Sequence, residues 1–443
     1  MTIGQWRSAT LAEVARWGSG GTPSAGNSRY YGGDIPWAVI GDLNDGLVST
    51  TARTITEEGL ASSSAKWVPQ GAVLVAMYGS IGKLGIAAAP LTTNQAIAFA
   101  VPGPNLDNKF LFYYLMSQRR LLGAEGKGAT QRNISQSILK PWPIRLPSLR
   151  EQRRIVEILE EHLSHLDAAT DYASAALART SSLREELIRR TVTEADLTTP
   201  RSGCDLTDAG TQDGELTSLP EGWNWRRLGD VAEVVGGVTK DSKKQSLPGM
   251  VEVPYLRVAN VQRGALKLDE VSSIRVTPQQ AQALELRTGD VLLNEGGDRD
   301  KLARGWVWEG EVPSCIHQNH VFRARLRIDL DPYFLSFTAN TLGGRWAERN
   351  GKQSVNLASI SLSMIRRMPV IVPPEGVSAR AVTELRGRLE EVDRMESAVH
   401  LSQAHTARLR RAILAAAFDG MLLGRHADDE AIEEMATCHP KGM

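Results

Sequence analysis

The residues with the most obvious chemical potential are Cys315, His317 and His320, three residues of metal-ligating type within six positions. A zinc site needs three or four converging ligands, usually as spaced pairs, and no second pair lies near them. They are expected to be hydrogen-bonded core or rim residues of a β-segment. Gly82-Lys83 resembles the end of a phosphate-cradling loop, but Met77 stands where the first glycine belongs and Leu84 where the hydroxyl belongs. Gly18-Ser19-Gly20-Gly21 lacks dinucleotide-type spacing. No Asn/Asp-Pro-Pro-aromatic step, which an amino-methyltransferase would place beside its target nitrogen, occurs. Glu57-Glu58 and Asp298/Asp300 are expected on surface turns, without the burial that general acid-base work requires. The sequence therefore predicts no catalytic centre and no metal site.

Nucleic-acid binding would call on residues of another kind. Base edges in the DNA major groove are distinguished by forked donors and acceptors, while Lys, Ser, Thr and backbone amides hold phosphates. Such groups must project from loops. In the first half of the chain the candidates are Thr22, Ser24, Tyr30, Tyr31, Tyr78, Ser80, Lys83, and Lys127, Thr130, Gln131 and Arg132 of one polar loop. In the second half they are Thr239, Lys240, Lys243, Lys244, Asn294, Arg299, Lys301, Arg304, and Lys352, Gln353 and Ser354. A formal net charge of zero speaks weakly against nucleic acid. Its distribution reverses that: residues 1–150 hold 14 Lys and Arg against 8 Asp and Glu, and residues 220–372 hold 21 against 17, so the acidic excess lies elsewhere.

The elements that would position these loops occur twice. Trp6-Arg7 leads through Leu11 to Gly20-Gly21-Thr22, as Trp225-Arg226 leads through Leu228 to Gly236-Gly237-Val238-Thr239. Ile35-Pro36-Trp37 matches Val253-Pro254-Tyr255, and Gly71-Ala72-Val73-Leu74-Val75 matches Gly289-Asp290-Val291-Leu292-Leu293. Thr93-Asn94-Gln95-Ala96-Ile97 aligns with His317-Gln318-Asn319-His320-Val321. A helix follows in each copy, 107–120 or 330–345, and then a proline-bounded strand, 143–147 or 369–374. An offset that drifts only slightly over a whole domain marks two copies of one unit. Short strands with few helices give each copy an α+β, β-rich character.

After each copy the period changes. From Glu151 to about Val192 there is no Pro or Gly, and Val156, Leu159, Leu163, Leu166, Thr170, Ala173, Leu177, Thr180, Arg184 and Leu187 keep the 3-4 spacing of a coiled-coil seam. A second such helix runs from about Ser378 to Phe418. At ~1.5 Å per residue each would be about 60 Å long, and a single apolar stripe of that length needs a partner. The predicted organisation is a first β-rich copy (1–148), a long helix (149–193), a solvated linker (194–219), a second β-rich copy (220–374), a second long helix (375–424) and a tail (425–443). The odd cysteine number argues against a disulfide framework, and the absence of a leader-like start or a long apolar run points to a cytoplasmic chain without membrane contact.

Several signatures resemble one family, the specificity subunits of type I restriction-modification enzymes. Pro147 to Ile155, with Glu151-Gln152, looks like that family's approach to its first long helix. Leu219-Pro220-Glu221-Gly222-Trp223 resembles the start of its second recognition domain, and Leu409 to Gly420 its C-terminal signature. One departure is that Glu375-Gly376-Val377 replaces the Glu-Gln step before the second helix. The resemblance makes the two β-rich copies target-recognition domains and implies a pseudo-two-fold, non-catalytic subunit in which these domains, separated by two antiparallel coiled-coil helices, each read half of a bipartite duplex DNA target. It also implies two methyltransferase partners and restriction/translocase partners, with S-adenosylmethionine, ATP and Mg on those partners and no cofactor in this chain. The competing expectations are a single-chain methyltransferase or nuclease and a scaffold of a related defence complex that does not touch bases.

Overall fold

The computed structural model describes residues 6–126, 133–193, 201–202, 206, 209–216, 218–241, 247–297, 302–353 and 358–422. The chain is mixed helix and sheet, and it divides into two compact units: residues up to 174 together with those from 400 on, and residues 175–399.

In the first unit the central sheet runs in the order Ala15–Ser19, Ile97–Pro102, Val73–Ala76, Leu84–Ala87 and Gly46–Val48. Its neighbours are antiparallel except the last pair. Val73–Ala76 and Leu84–Ala87 are buried throughout, which is why they read as unbroken apolar runs rather than alternating ones. A smaller sheet sets Tyr31–Ala38 parallel to Leu91–Thr93. Arg7–Thr10 pairs with Pro143–Leu146 and closes the unit by joining its first strand to its last.

The second unit uses the same connections. Ala232–Val235, Val321–Leu326, Val291–Asn294 and Gly305–Val307 form the central antiparallel sheet. Val251–Leu256 lies parallel to Ile316–His317, and Asn224–Arg227 closes on Pro369–Val372. The helix expected over 330–345 is Pro332–Thr338, continued through a π-turn at Ala339–Gly343 into Gly344–Asn350.

The long helices are Leu149–Thr193 and Val377–Phe418, and each runs through both units. In the first unit Ile155, Val156, Leu159 and Leu163 share a core with Leu414 and Ala417. The Phe418 ring there meets Phe110 and Tyr114 edge-on, 5.2 and 5.4 Å between centroids. In the second unit Val192 packs with Val382 and Leu385. The rising positions of one helix meet the falling positions of the other, so the helices are antiparallel within each unit. The polar seam position Arg184 is used rather than merely tolerated, because its guanidinium contacts the Asp393 carboxylate and lies 3.2 Å from that of Glu396.

The missing Glu-Gln step has a structural substitute. At the first helix, buried Gln152 donates from Nε2 to the Asn105 and Pro147 carbonyls, 2.9 Å each, and accepts from the Asp107 amide at 2.8 Å. At the second, buried Ser378 accepts from the Asp331 amide at 3.0 Å. Asp107 and Asp331 each cap the helix that follows them. The hydroxyl thus takes over the main contact of the amide, and the second helix starts at Val377.

The segment expected to be a solvated linker is partly docked. Arg201–Ser202 pairs with Leu219–Pro220. The Asp213 carboxylate takes a two-pronged bond from Arg227, at 2.9 and 2.8 Å, and another from the Trp346 indole at 2.8 Å. Burial alone would raise the Asp213 carboxyl, but the Arg227 and Trp346 bonds outweigh it and hold the group below the usual carboxylate range. Its composition reads as a linker because the partners stand far along the chain. Removing one member of a buried ion pair strands the other. Asp213→Asn should therefore cost about 3 kcal/mol, read as an earlier denaturant midpoint; an unchanged midpoint would show that the docked segment contributes nothing.

Candidate nucleic-acid interface

Among the described residues, the strand ends that carry candidate loops lie together at one end of each central sheet. In the first unit Ala15–Ser19 ends there, Val73–Ala76 ends there and Ile97–Pro102 begins there. The turn between the last two sheet segments, residues 94–97, fastens the others. Gly21 donates to the Thr93 carbonyl (2.9 Å), Asn94 to Ala38 (3.0 Å), Ile97 to Asn94 (3.2 Å), Met77 to Ala96 (2.8 Å) and Ile134 to Met77 (2.9 Å). Gly20 is required by this closure, since a Cβ would sit 1.9 Å from the Thr93 carbonyl oxygen.

Each contact has a counterpart in the second unit. Val238 donates to the His317 carbonyl (2.8 Å), Gln318 to Leu256 (2.9 Å), Val321 to Gln318 (2.9 Å), Glu295 to His320 (3.0 Å) and Ile360 to Glu295 (2.9 Å). A Cβ on Gly237 would meet the His317 carbonyl oxygen at the same 1.9 Å. Tyr78 bridges Asn133 where Gly296 pairs with Ser359. The backbone frame is common to both units; the side chains it carries are not.

On this frame the first unit exposes Thr22, whose hydroxyl donates to the Gln95 side-chain oxygen, and Ser24 in the following turn. Tyr30 is half-buried. Tyr31 is held by its hydroxyl to the Pro23 carbonyl at 2.6 Å and by its ring against Trp37, so it shapes this loop more than it extends from it. Tyr78 and Ser80 are exposed and Lys83 is partly so, all in the turn after Val73–Ala76. Arg119 fixes that turn, donating to the Gly82 carbonyl at 2.7 Å and gripping Asp45 at 2.5 and 3.0 Å.

In the second unit Thr239 and Lys240 are exposed just past Val238, and Lys352 is exposed on a short strand whose other residue, Gln353, pairs with Ala358. Arg304 is half-buried and lines a groove of roughly 800 Å³ with Arg257, Gln262, Lys267, Asp269 and Glu270. Asn294 requires a correction. It is fully buried, with its amide donating to the Val261 carbonyl at 2.9 Å, so it braces the sheet and presents nothing outward. Being the last residue of an interior strand, it looked in sequence like the first residue of the adjoining loop. Lys127, Thr130, Gln131, Arg132, Lys243, Lys244, Arg299, Lys301 and Ser354 lie outside the described residues.

The turn residues Gln95, Asn319 and His320, and Glu295 beside them, were not among the candidates, although the repeat alignment already put Gln95 and Asn319 in register. His320 Nδ1 lies 2.5 Å from the Glu295 carboxylate. His317 is a core residue that donates from Nδ1 to the Val321 carbonyl at 2.6 Å. Among the described residues no three His, Cys, Asp or Glu side chains converge as a metal site. Burial pushes the Cys315 thiol up to about 12.

Comparison with known proteins agrees with this architecture. Residues 4–171 match the family model "Type I restriction modification DNA specificity domain". The MjaIX specificity subunit of Methanocaldococcus jannaschii is 26% identical over 58% of this chain, which spans 59% of that relative's length. The StySPI specificity subunit of Salmonella potsdam is 25% identical over 94% of this chain and 89% of its own. A solved chain from work on complex assembly and conformational transition of the type I R-M system shares the fold, with a TM-score of 0.71 at 20% identity, covering 94% of this chain and 98% of that one. The two chains thus share a fold. The chain is thus similar to specificity subunits of type I restriction enzymes, and its residues 4–171 carry the match to the DNA specificity domain. No helix among the described residues is long and apolar enough to cross a membrane.

Burial lowers His317 to about 4. Between about pH 6.5 and 4 the unfolded chain binds a proton at this residue that the folded chain refuses, so stability is present above that window and is lost as pH falls through it. The slope is about 1.4 kcal/mol per pH unit and the total roughly 3 kcal/mol. His317→Gln should flatten the acid limb of stability against pH between 6.5 and 4, measured by denaturant titration; an unaltered slope would refute the assignment.

Proposed function

We propose that this chain is the DNA sequence-reading subunit of a type I restriction-modification complex and has no catalytic centre of its own. In this reading the units are repeated target-recognition domains of a pseudo-two-fold subunit. Each reads one half of a bipartite duplex site through its loop-bearing sheet end. The long helices set the spacing between half-sites and dock two methyltransferase subunits, which bring S-adenosylmethionine. Restriction and translocase subunits bring ATP and Mg.

The observation that carries the reading is the pair of sheet ends built on one hydrogen-bond frame but furnished differently, with Thr22, Tyr78 and Lys83 on one and Thr239, Lys240 and Lys352 on the other. A common frame with unlike side chains suits two readers of unlike half-sites. The basic excess of residues 1–150 and 220–372 suits phosphate contact. Ser24, Tyr30, Ser80 and Arg304 stand beside these residues as further contacts. Lys127, Thr130, Gln131, Arg132, Lys243, Lys244, Arg299, Lys301, Gln353 and Ser354 complete the proposed set.

Two experiments test this. Replacing residues 20–140 by the matching segment of another specificity subunit should change one half-site of the methylated motif and leave the other intact; a change in both would overturn the two-reader model. Lys83→Ala in the assembled complex should weaken all DNA sequences alike and reduce the slope of log affinity against log salt by about 1. An unchanged slope would remove Lys83 from the phosphate contacts.

A further inference from the structure

Resting on the DNA-reading function above, we propose that Gln95 and Asn319 are paired base-reading residues, one per half-site, each addressing an adenine edge in the major groove. They occupy the same place in the two units, the second position of the turns 94–97 and 318–321, and each turn is fastened by equivalent backbone bonds. The Asn94 side chain further locks its turn by accepting from the Ala96 amide at 3.1 Å. Residues at the tip of so constrained a turn can present a side chain with little ordering cost on binding. Gln95 is exposed and Asn319 partly so.

Each carboxamide is also oriented by a neighbour that leaves its reading edge available. Thr22 donates its hydroxyl to the Gln95 oxygen, which keeps a second lone pair while the amide nitrogen keeps its hydrogens. In the other unit a carboxylate can only accept, so His320 Nδ1 donates to Glu295, and Asn319 Nδ2 lies 3.3 Å from His320 Nε2. Asn319 then retains Oδ1 and one amide hydrogen. Both side chains thus offer one acceptor beside one donor, the pattern complementary to adenine N6–H and N7. The supports differ, a threonine hydroxyl in one unit and a Glu295–His320 pair in the other.

The test uses the full chain assembled with its methyltransferase subunits and a duplex library randomised over the target. Gln95→Ala should lose roughly 10- to 100-fold of the preference for adenine at one position of one half-site. The other half-site and the salt slope should stay as they were. Asn319→Ala should do the same in the other half-site. Gln95→Glu, matched in size, should move the preference at that position toward cytosine, whose amino group a carboxylate accepts. Uniform weakening without altered preference, a lost preference for a base other than adenine, or unaltered selection would each overturn the assignment. Selection of a bipartite motif by the wild-type complex, unaltered in the variants, would sink this inference alone; no bipartite motif in the wild type would sink the underlying reading with it.

Discussion

A helix of 45 residues with one apolar stripe is not stable alone in water, and the whole molecule is organised around that constraint. Both long helices are built into the cores of the units rather than appended to them. Ile155, Leu159 and Leu163 are as buried as the strands they face, and Phe418 ends its helix between two rings of the first unit. Gln152 and Ser378 then fix the start of each helix to the Asp-capped helix beside it. Sheet and helix consequently share one core in each unit.

The opposite end of each sheet is governed by a different rule. Three strand ends and one tight turn are tied mainly by backbone bonds, and Gly20 and Gly237 permit the closest approach. Because the bonds common to both units come from the backbone, most side chains on the frame can differ between them. That separation explains how one architecture carries Thr22 with Gln95 in one unit and a Glu295–His320 pair in the other. It also explains why the histidines that first suggested a metal divide into unlike roles. His317 is sealed in the core with a depressed pKa, while His320 stands exposed beside a carboxylate.

Much of this was legible in the sequence. The first long helix follows from apolar periodicity and from the absence of Pro and Gly between Glu151 and Val192, and the second from a periodicity that runs on through Gly387, because such patterns record local geometry and which face is buried. The family resemblance rested on the same segments and agrees with the comparisons. Even the register of Gln95 with Asn319 was present in the alignment, though nothing local marks which residue of a polar turn stands at its tip.

Tertiary structure alone decided the rest. Asn294 is a brace because Val258 and Val261, more than thirty residues earlier, supply its carbonyl partners. Asp213 is docked because Arg227 and Trp346 meet there. Ser378 replaces Gln152 because it reaches Asp331, not because the local sequence resembles the first helix start. Each depends on partners distant along the chain, and periodicity carries no record of such pairings. The sequence by itself determined the long helices and the strand-forming segments; only folding determined which polar side chains are spent on the scaffold and which stay exposed.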